Sequence, residues 1–466
     1  MQLFEAMDAQ GDEYDEQKLK EKHAKKPFVK YLSAEKKQLR EQIMKQMRLF
    51  HSGRTVDNKI NELLQDEIFY QEKGLNDLRE KALLKAKELA TNAERFHLLK
   101  EILLRQTGFV IEFEKKHLTK PVVQLINEQK QLFITQESEL ELQAKNRELF
   151  SVLRSGADMQ DSTVNNRVEM LYMEVERYRT RIGDSYRLQC LFERANSNYF
   201  HLQRNWKASF QHTKNEYEIY QRAEHLKTED ALNYKVCLAN LMARALSAKE
   251  EDWFTKALEE MKSLPTSSFN EEGEVFQNVY FQEHLFYINH GEFEKAVALV
   301  PIIEQGLVKY EAKVNQARKI AFRFNIMVMY FVMHRFKDAL NWIEPMMTDS
   351  SEIKQDQRFV GILLLPIIHF ELGHVDLVES FTRSAYRFLQ KKNRLHEFER
   401  LVLNYLKGMP LSSDQTEFRT KLVAFSEELD SIMNDSKKRR TIGTEELSLW
   451  AKSHLQNRKM SEIIGD

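Results

Sequence analysis

Side chains able to ligate a metal, attack a carbonyl or move a proton are plentiful in this 466-residue chain, but they are dispersed. The nearest approach to a ligand set is His369, Glu371 and His374. Imidazole and carboxylate suit a transition metal, yet histidines five apart point to different helix faces, and Gly373 places a turn between them. The carboxylate runs Glu250-Glu251-Asp252 and Glu271-Glu272-Gly273-Glu274 fall near predicted loops, where they read first as solvated surface and only second as acid/base groups. Cys190 and Cys237 lie outside any metal-ligand spacing, as buried free thiols of a reducing compartment would. The chain contains no Gly-rich phosphate loop, no H-E-x-x-H, no G-x-S-x-G and no paired C-x-x-C. The expectation is therefore no catalytic residue, no cofactor-binding residue and no metal ligand, in a protein that is not an enzyme.

Two basic features point instead to binding. Residues 16–48 hold eleven Lys/Arg against four Glu, a net +7, with Phe28 and Tyr31 among them. A basic stripe with aromatics suits nucleic-acid phosphates. The plainer reading is that the lysines form the solvated face of a helix that packs through Leu39, Ile43 and Met47. Lys437-Lys438-Arg439-Arg440 is a compact charge run ahead of a helix start at Thr444-Glu445-Glu446, and reads as an exposed linker. The formal net charge of the whole chain is −1, which leaves no global field to attract polyanions.

The elements that must carry such surfaces are helices. Only 14 Gly and 7 Pro occur, too few for a chain of many short strands and tight turns. Charged residues at 30% and hydrophobic ones at 42% suit amphipathic helices with wet outer faces. Leu32, Leu39, Ile43, Met47 and Phe50 recur at helical spacing and stop near Gly53. Residues 56–73 and 75–91 read as two further helices hinged at Gly74, and 121–153 as long, partly exposed helices. The most apolar stretch, Phe359 to Phe370, is too short to span a bilayer and contains Pro366. It is expected to be a buried helix. The first residues lack the basic region and apolar stretch of a secretory signal, so the expectation is a cytoplasmic protein with no membrane contact.

A repeat emerges beyond residue 166. Tyr330-Phe331-Val332-Met333-His334-Arg335-Phe336-Lys337-Asp338-Ala339 aligns without gaps with Phe286-Tyr287 through His290-Gly291-Glu292-Phe293-Glu294-Lys295-Ala296 when Tyr287 is set on Tyr330. Tyr199 through Ala208 fits the same frame, His369-Phe370 through Gly373, Val375 and Val378 is a degraded copy, and Phe254 with Ala257 adds a weaker one. The steps from Phe254 to Phe293, Phe336 and Val375 are 39, 43 and 39 residues, one helix hairpin each. A small side chain such as Ala296 or Ala339 lets paired helices approach, while Phe293 or Phe336 wedges between hairpins. Gly291 and Gly373 sit where the chain turns. Pro265, Pro301 and Pro345 fall near where second helices should end or bend.

This pattern resembles the tetratricopeptide repeat family, over roughly Arg167 to Gly408, with a period longer than the usual 34 residues. The N-terminal stretches Leu3-Phe4-Glu5-Ala6-Met7, Phe28 to Leu32 and Phe50 to Arg54 make the chain similar to an uncharacterised helical-repeat family of Bacteroidetes. Members of that family carry a further helical segment ahead of the stretch matching Met1, so a start upstream of Met1 stays open.

The resemblance implies that the first helix of each pair lines a concave groove. The matching positions are Asn278, Phe281, Gln282 and Leu285, then Ala321, Phe324, Asn325 and Val328 one repeat later. Gln282 and Asn325 in register suit the backbone of an extended peptide, with Phe281 and Phe324 as apolar contacts. The alternative is that Phe281, Phe324, Leu285 and Val328 are inter-repeat core. The Lys/Arg/Asn set that clamps a C-terminal carboxylate in some family members is missing from these positions.

The expected architecture is all-α, antiparallel helix pairs stacked as an irregular tetratricopeptide-like α-solenoid. Its parts are an N-terminal helical region (1–156), a linker (157–166), the repeats (167–410) and C-terminal capping helices with a tail (411–466). The expected function is a scaffold or adaptor that binds a protein or peptide in the groove. A nucleic-acid-associated regulator acting through residues 16–48 is the alternative.

Overall fold

The computed structural model describes residues 2–11, 14–51, 53, 55–113, 119–155, 159, 161–266, 268–348, 355–408, 415–434 and 443–464. All regular structure among them is helical. The chain divides into two compact units, Met1–Cys237 and Leu238–Asp466. The first holds α1 (Gln2–Asp8), α2 (Glu16–Lys22), α3 (Pro27–Lys30), α4 (Leu32–His51), α5 (Val56–Glu72), α6 (Asn76–Asn92), α7 (Phe96–Phe113), α8 (Thr119–Ser155), α9 (Ser162–Glu176), α10 (Tyr186–Leu202), α11 (Trp206–Arg222) and α12 (His225–Glu229). The division falls inside α13 (Ala231–Ala248). The second unit continues with α14 (Glu251–Ser263), α15 (Phe269–Asn289), α16 (Phe293–Lys309), α17 (Gln316–Val332), α18 (Phe336–Thr348), α19 (Gln355–Glu371), α20 (Val375–Lys391), α21 (Glu397–Gly408), α22 (Gln415–Asn434), α23 (Thr444–Gln456) and α24 (Met460–Ile463). Within each unit helices pack mainly on their chain neighbours, the arrangement of an all-α solenoid.

Local chemistry explains where helices begin. The side chains of Asp15, Thr55, Asp161, Ser185, Asn205, Ser268 and Asn315 each accept a hydrogen bond from a backbone N–H in the turn that follows, satisfying donors that the helix cannot. Asp161 thereby opens α9 at Ser162, so that residues 162–166 of the expected linker are helical.

Helix ends reveal the repeat more clearly than side-chain types do. Among the described residues eight helix ends share one geometry, with a left-handed residue at Gly74, Glu94, Arg204, Lys249, Gly291, His334, Gly373 or Asn393. At each, that residue's N–H bonds back three residues and the next N–H bonds back five, as in Gly291 N to Ile288 O (3.1 Å) and Glu292 N to Tyr287 O (2.8 Å). This double bond pattern closes a helix and reverses the chain within two or three residues. Tyr330 O accepts the equivalent bond from Arg335 N at 2.8 Å, so Tyr287 and Tyr330 do occupy one register.

The other copies are differently phased from the expected frame. Arg204 is the left-handed residue of the turn after α10, and Phe200 O accepts from Asn205 N. Phe200, not Tyr199, therefore matches Tyr330. The small residue that meets the partner helix is Ser209, fully buried, rather than half-buried Ala208. Phe254 and Ala257 lie five and eight residues past Lys249, whereas Phe293 and Ala296 lie two and five past Gly291. The contact has moved one helical turn along α14. The successive turns at 249, 291, 334 and 373 stand 42, 43 and 39 residues apart. Of the prolines, Pro265 directly follows the C-cap of α14, whereas Pro301 and Pro345 lie inside α16 and α18.

The second unit's core runs through α16 to α23. Ala296 and Ala339 are fully buried, and Phe293 and Phe336 nearly so, as the spacing argument requires. α17 and α19 are buried on nearly every face, from Ile320 to Val332 and from Phe359 to His369. A first helix in a one-layer stack keeps an open side; these two do not, since α23 folds back onto α17 and α19 packs on α17, α18, α20 and α21.

Candidate partner-binding cleft

The first helices of the second unit are positioned by their turns, so their C-terminal ends form a row. The ends of α13, α15 and α17, the starts of α14 and α16, and parts of α23 and α24 enclose a cleft of about 590 Å³. Its floor is aromatic. Phe254 and Phe286 stack at 4.4 Å between centroids and 9° between planes, and the His290 ring lies 4.1 Å from Phe286. His290 Nδ1 is 2.7 Å from Phe286 O and its Nε2 is 3.0 Å from Glu251 Oε1, which pins the ring. Val328 and Val332 of α17, with Leu449 and Ile464, line the same space. The rim is acidic: Glu250, Glu251 and Glu445 line it, against Lys249, and the less exposed Glu446 lies beside them. Burial raises the Glu446 carboxyl above its ordinary value.

The C-terminal segment that makes one wall is held by specific bonds. Glu371 Oε1 accepts from Trp450 Nε1 and meets His454 Nε2, each at 2.6 Å, and Met460 N donates to His334 Nε2 at 3.1 Å. Trp450 and Met460 are fully buried. The left-handed Gly443 that precedes α23 lies so close to Val360 that a Cβ there would sit 2.7 Å from its Cγ1. This closure was not foreseen, although Leu447, Trp450 and Ala451 fall at helical spacing and mark a buried stripe.

The eight expected groove residues divide. Ala321 and Phe324 are core, each 6% exposed, and for Phe324 this is the alternative of inter-repeat core. Asn278, Phe281, Gln282, Leu285, Asn325 and Val328 are half-buried. Phe281 packs edge-on against Phe322 at 5.4 Å, and the Arg318 guanidinium lies 4.1 Å over its ring. Burial lowers Arg318 to about 10. Of the eight, Val328 is the one that lines the cleft.

Other expected features also change. The turn at Gly373 brings His369 Nδ1 to 3.1 Å from His374 Nδ1, so the two histidines meet rather than point apart. Glu371 turns instead to Trp450 and His454. No group of three or more His, Cys, Asp or Glu among the described residues is arranged to hold a metal. Cys190 and Cys237 are buried and are not joined in a disulfide. In the basic N-terminal region Leu39 packs on the small core of Leu3, Leu19, Phe28 and Leu32. Ile43 and Met47, expected to pack beside it, are 39% and 45% exposed. The run Lys437 to Arg440 lies outside the described residues.

Larger spaces occur at 1010 Å³ between α21 and α22, where Arg400, Asn404, Lys421 and Glu428 mix charges, and at 780 Å³ among α6, α7 and α8 in the first unit. Neither combines a recognisable floor with one sign of charge. No described helix is long and apolar enough to cross a membrane. No family model, curated protein or solved structure matches the chain.

Proposed function

We propose that this protein is a non-catalytic binding scaffold whose second unit takes a protein partner in the acid-rimmed aromatic cleft. The observation that supports this reading is the pairing of a concave apolar floor, Phe254, Phe286 and Val328, with carboxylates from two separate helices, α14 and α23. Apolar contact supplies affinity there, and the acidic rim selects a partner that carries Lys or Arg beside its apolar residues. Relative to the groove expected from the sequence, the site has shifted from the middle of α15 and α17 to their C-terminal ends. The test is affinity capture with the tagged chain and with Glu251→Lys/Glu445→Lys, both nuclease-treated. Both residues are exposed, so the variant should melt like the parent while losing its specific partner. Equal recovery by the two chains rules out the cleft.

A second reading, phosphate contact by residues 16–48, is favoured by the exposure of Lys22, Lys25, Lys26, Lys30 and Lys37. It requires oligonucleotide binding that weakens steeply with salt and is lost when these lysines are neutralised.

A further inference from the structure

The first unit carries a helix with the chemistry that the cleft would select. In α4, residues 41–50 are exposed throughout, yet Ile43, Met44, Met47 and Leu49 are large and apolar, between 39% and 62% exposed. The same helix carries Lys36, Lys37, Arg40, Lys45 and Arg48 against Glu35 and Glu41. An apolar row on a solvated helix loses free energy of hydration until something covers it, and a row flanked by cations is best covered by an apolar surface bordered by carboxylates. The cleft of the second unit is such a surface. Its volume is too small for a whole helix, about 10 Å across with side chains, and suits the side chains of one face.

We propose that α4 of one copy docks its Ile43/Met47 row into the acid-rimmed cleft of a second copy, with Lys45 and Arg48 against the rim carboxylates. The inference rests on the cleft reading above and names the partner as the chain itself. Every copy has one α4 and one cleft, so the contact is heterologous and extends into a series of oligomers unless its rotation closes a ring. Charge pairs at the rim make it salt-sensitive, while the buried apolar row makes it persist at moderate salt.

The test is sedimentation velocity of the full chain over a concentration series at low and high salt. It compares the parent with Lys45→Glu/Arg48→Glu, with Glu251→Lys/Glu445→Lys and with the four changes combined. The parent should associate. Each pair of reversals should weaken association at least about tenfold, equivalent to about 1.4 kcal/mol, and the combination should restore it, since the charges are then exchanged across the contact. A parent that stays monomeric at every concentration overturns the proposal, as does association indifferent to the cleft reversals. Flotation with phosphatidylserine vesicles, lost on Met47→Asp while the chain remains monomeric, would assign α4 to an anionic lipid surface instead. The capture experiment separates the two readings: a monomeric parent whose captured partner still depends on Glu251 and Glu445 leaves the cleft standing and removes only the self-contact.

Discussion

His284 in α15 is wholly enclosed, and neither ring nitrogen has a partner among the described residues. Burial lowers its pKa to about 4, because an imidazolium there would lose its hydration without compensation. In the unfolded chain the same group takes its proton near 6.5. Stability from this residue is therefore complete above about pH 6.5 and is lost progressively as pH falls toward 4, by on the order of 3 kcal/mol. Unfolding by urea at a series of pH values should show that decline, and His284→Leu should flatten it, with stability at neutral pH unchanged or raised by about 1 kcal/mol. His334 behaves in the same sense, since it must stay neutral to accept from Met460 N, and burial lowers it. Gly306 is a steric case: a Cβ would stand 1.9 Å from Cε2 of Phe276, itself buried among Tyr280, Tyr310 and Phe322. Gly306→Ala should cost about 1–3 kcal/mol, read as a lower denaturation midpoint.

The unit of construction at the next scale is the helix pair closed by a left-handed residue. Three of the eight such positions are glycines, Gly74, Gly291 and Gly373, and these are the turns that the sequence announces. Arg204, Lys249, His334, Glu94 and Asn393 adopt the same conformation without being glycine, which costs about 1–2 kcal/mol each before any compensation. That concealment explains the misplaced phase of the copy at Tyr199: with no glycine to mark the turn, the aromatic pair Tyr199-Phe200 can be set in either of two frames, one residue apart. Arg204→Gly should accordingly raise the melting temperature of the first unit, by the equivalent of about 0.5–1 kcal/mol. Gly291→Ala should lower that of the second by about 1 kcal/mol, although nothing lies within 4 Å of a Cβ there. A result of opposite sign at either position would mean that side-chain contacts, not backbone conformation, decide these turns. Glu94 shows such a compensation: its carboxylate accepts from Tyr186 N and Arg187 N at 2.9 and 2.8 Å, capping α10 from the turn between α6 and α7.

At the scale of the molecule, the decisive feature of the second unit is a return of the chain. α23 packs on α17 and α22, and its Trp450 contacts Phe370, Tyr405 and Phe425 while donating to Glu371 at the end of α19. Trp450→Ala should remove about 3–5 kcal/mol. Ending the chain after Asn434 should leave α17 and α19 with exposed apolar faces, detectable as dye binding and concentration-dependent aggregation. A second unit equally stable and monodisperse without α23 would show that the helix only lies on the surface. Sequence was sufficient for what depends on neighbours along the chain. The helical class follows from amphipathic spacing and the scarcity of Gly and Pro, the extents of α4, α5 and α6 from periodicity and punctuation, and the start of α23 at Thr444 likewise. The register of Tyr287 with Tyr330 follows from matched residue types a few positions apart. It was insufficient wherever distant segments meet. Phe324 and Val328 lie four residues apart on one helix, yet one is core and the other lines a cleft, one of whose walls comes from a helix more than a hundred residues later. The row Ile43, Met47 had the periodicity of a packed face and is bare, since periodicity states that a face wants cover, and only the folded chain shows whether anything provides it.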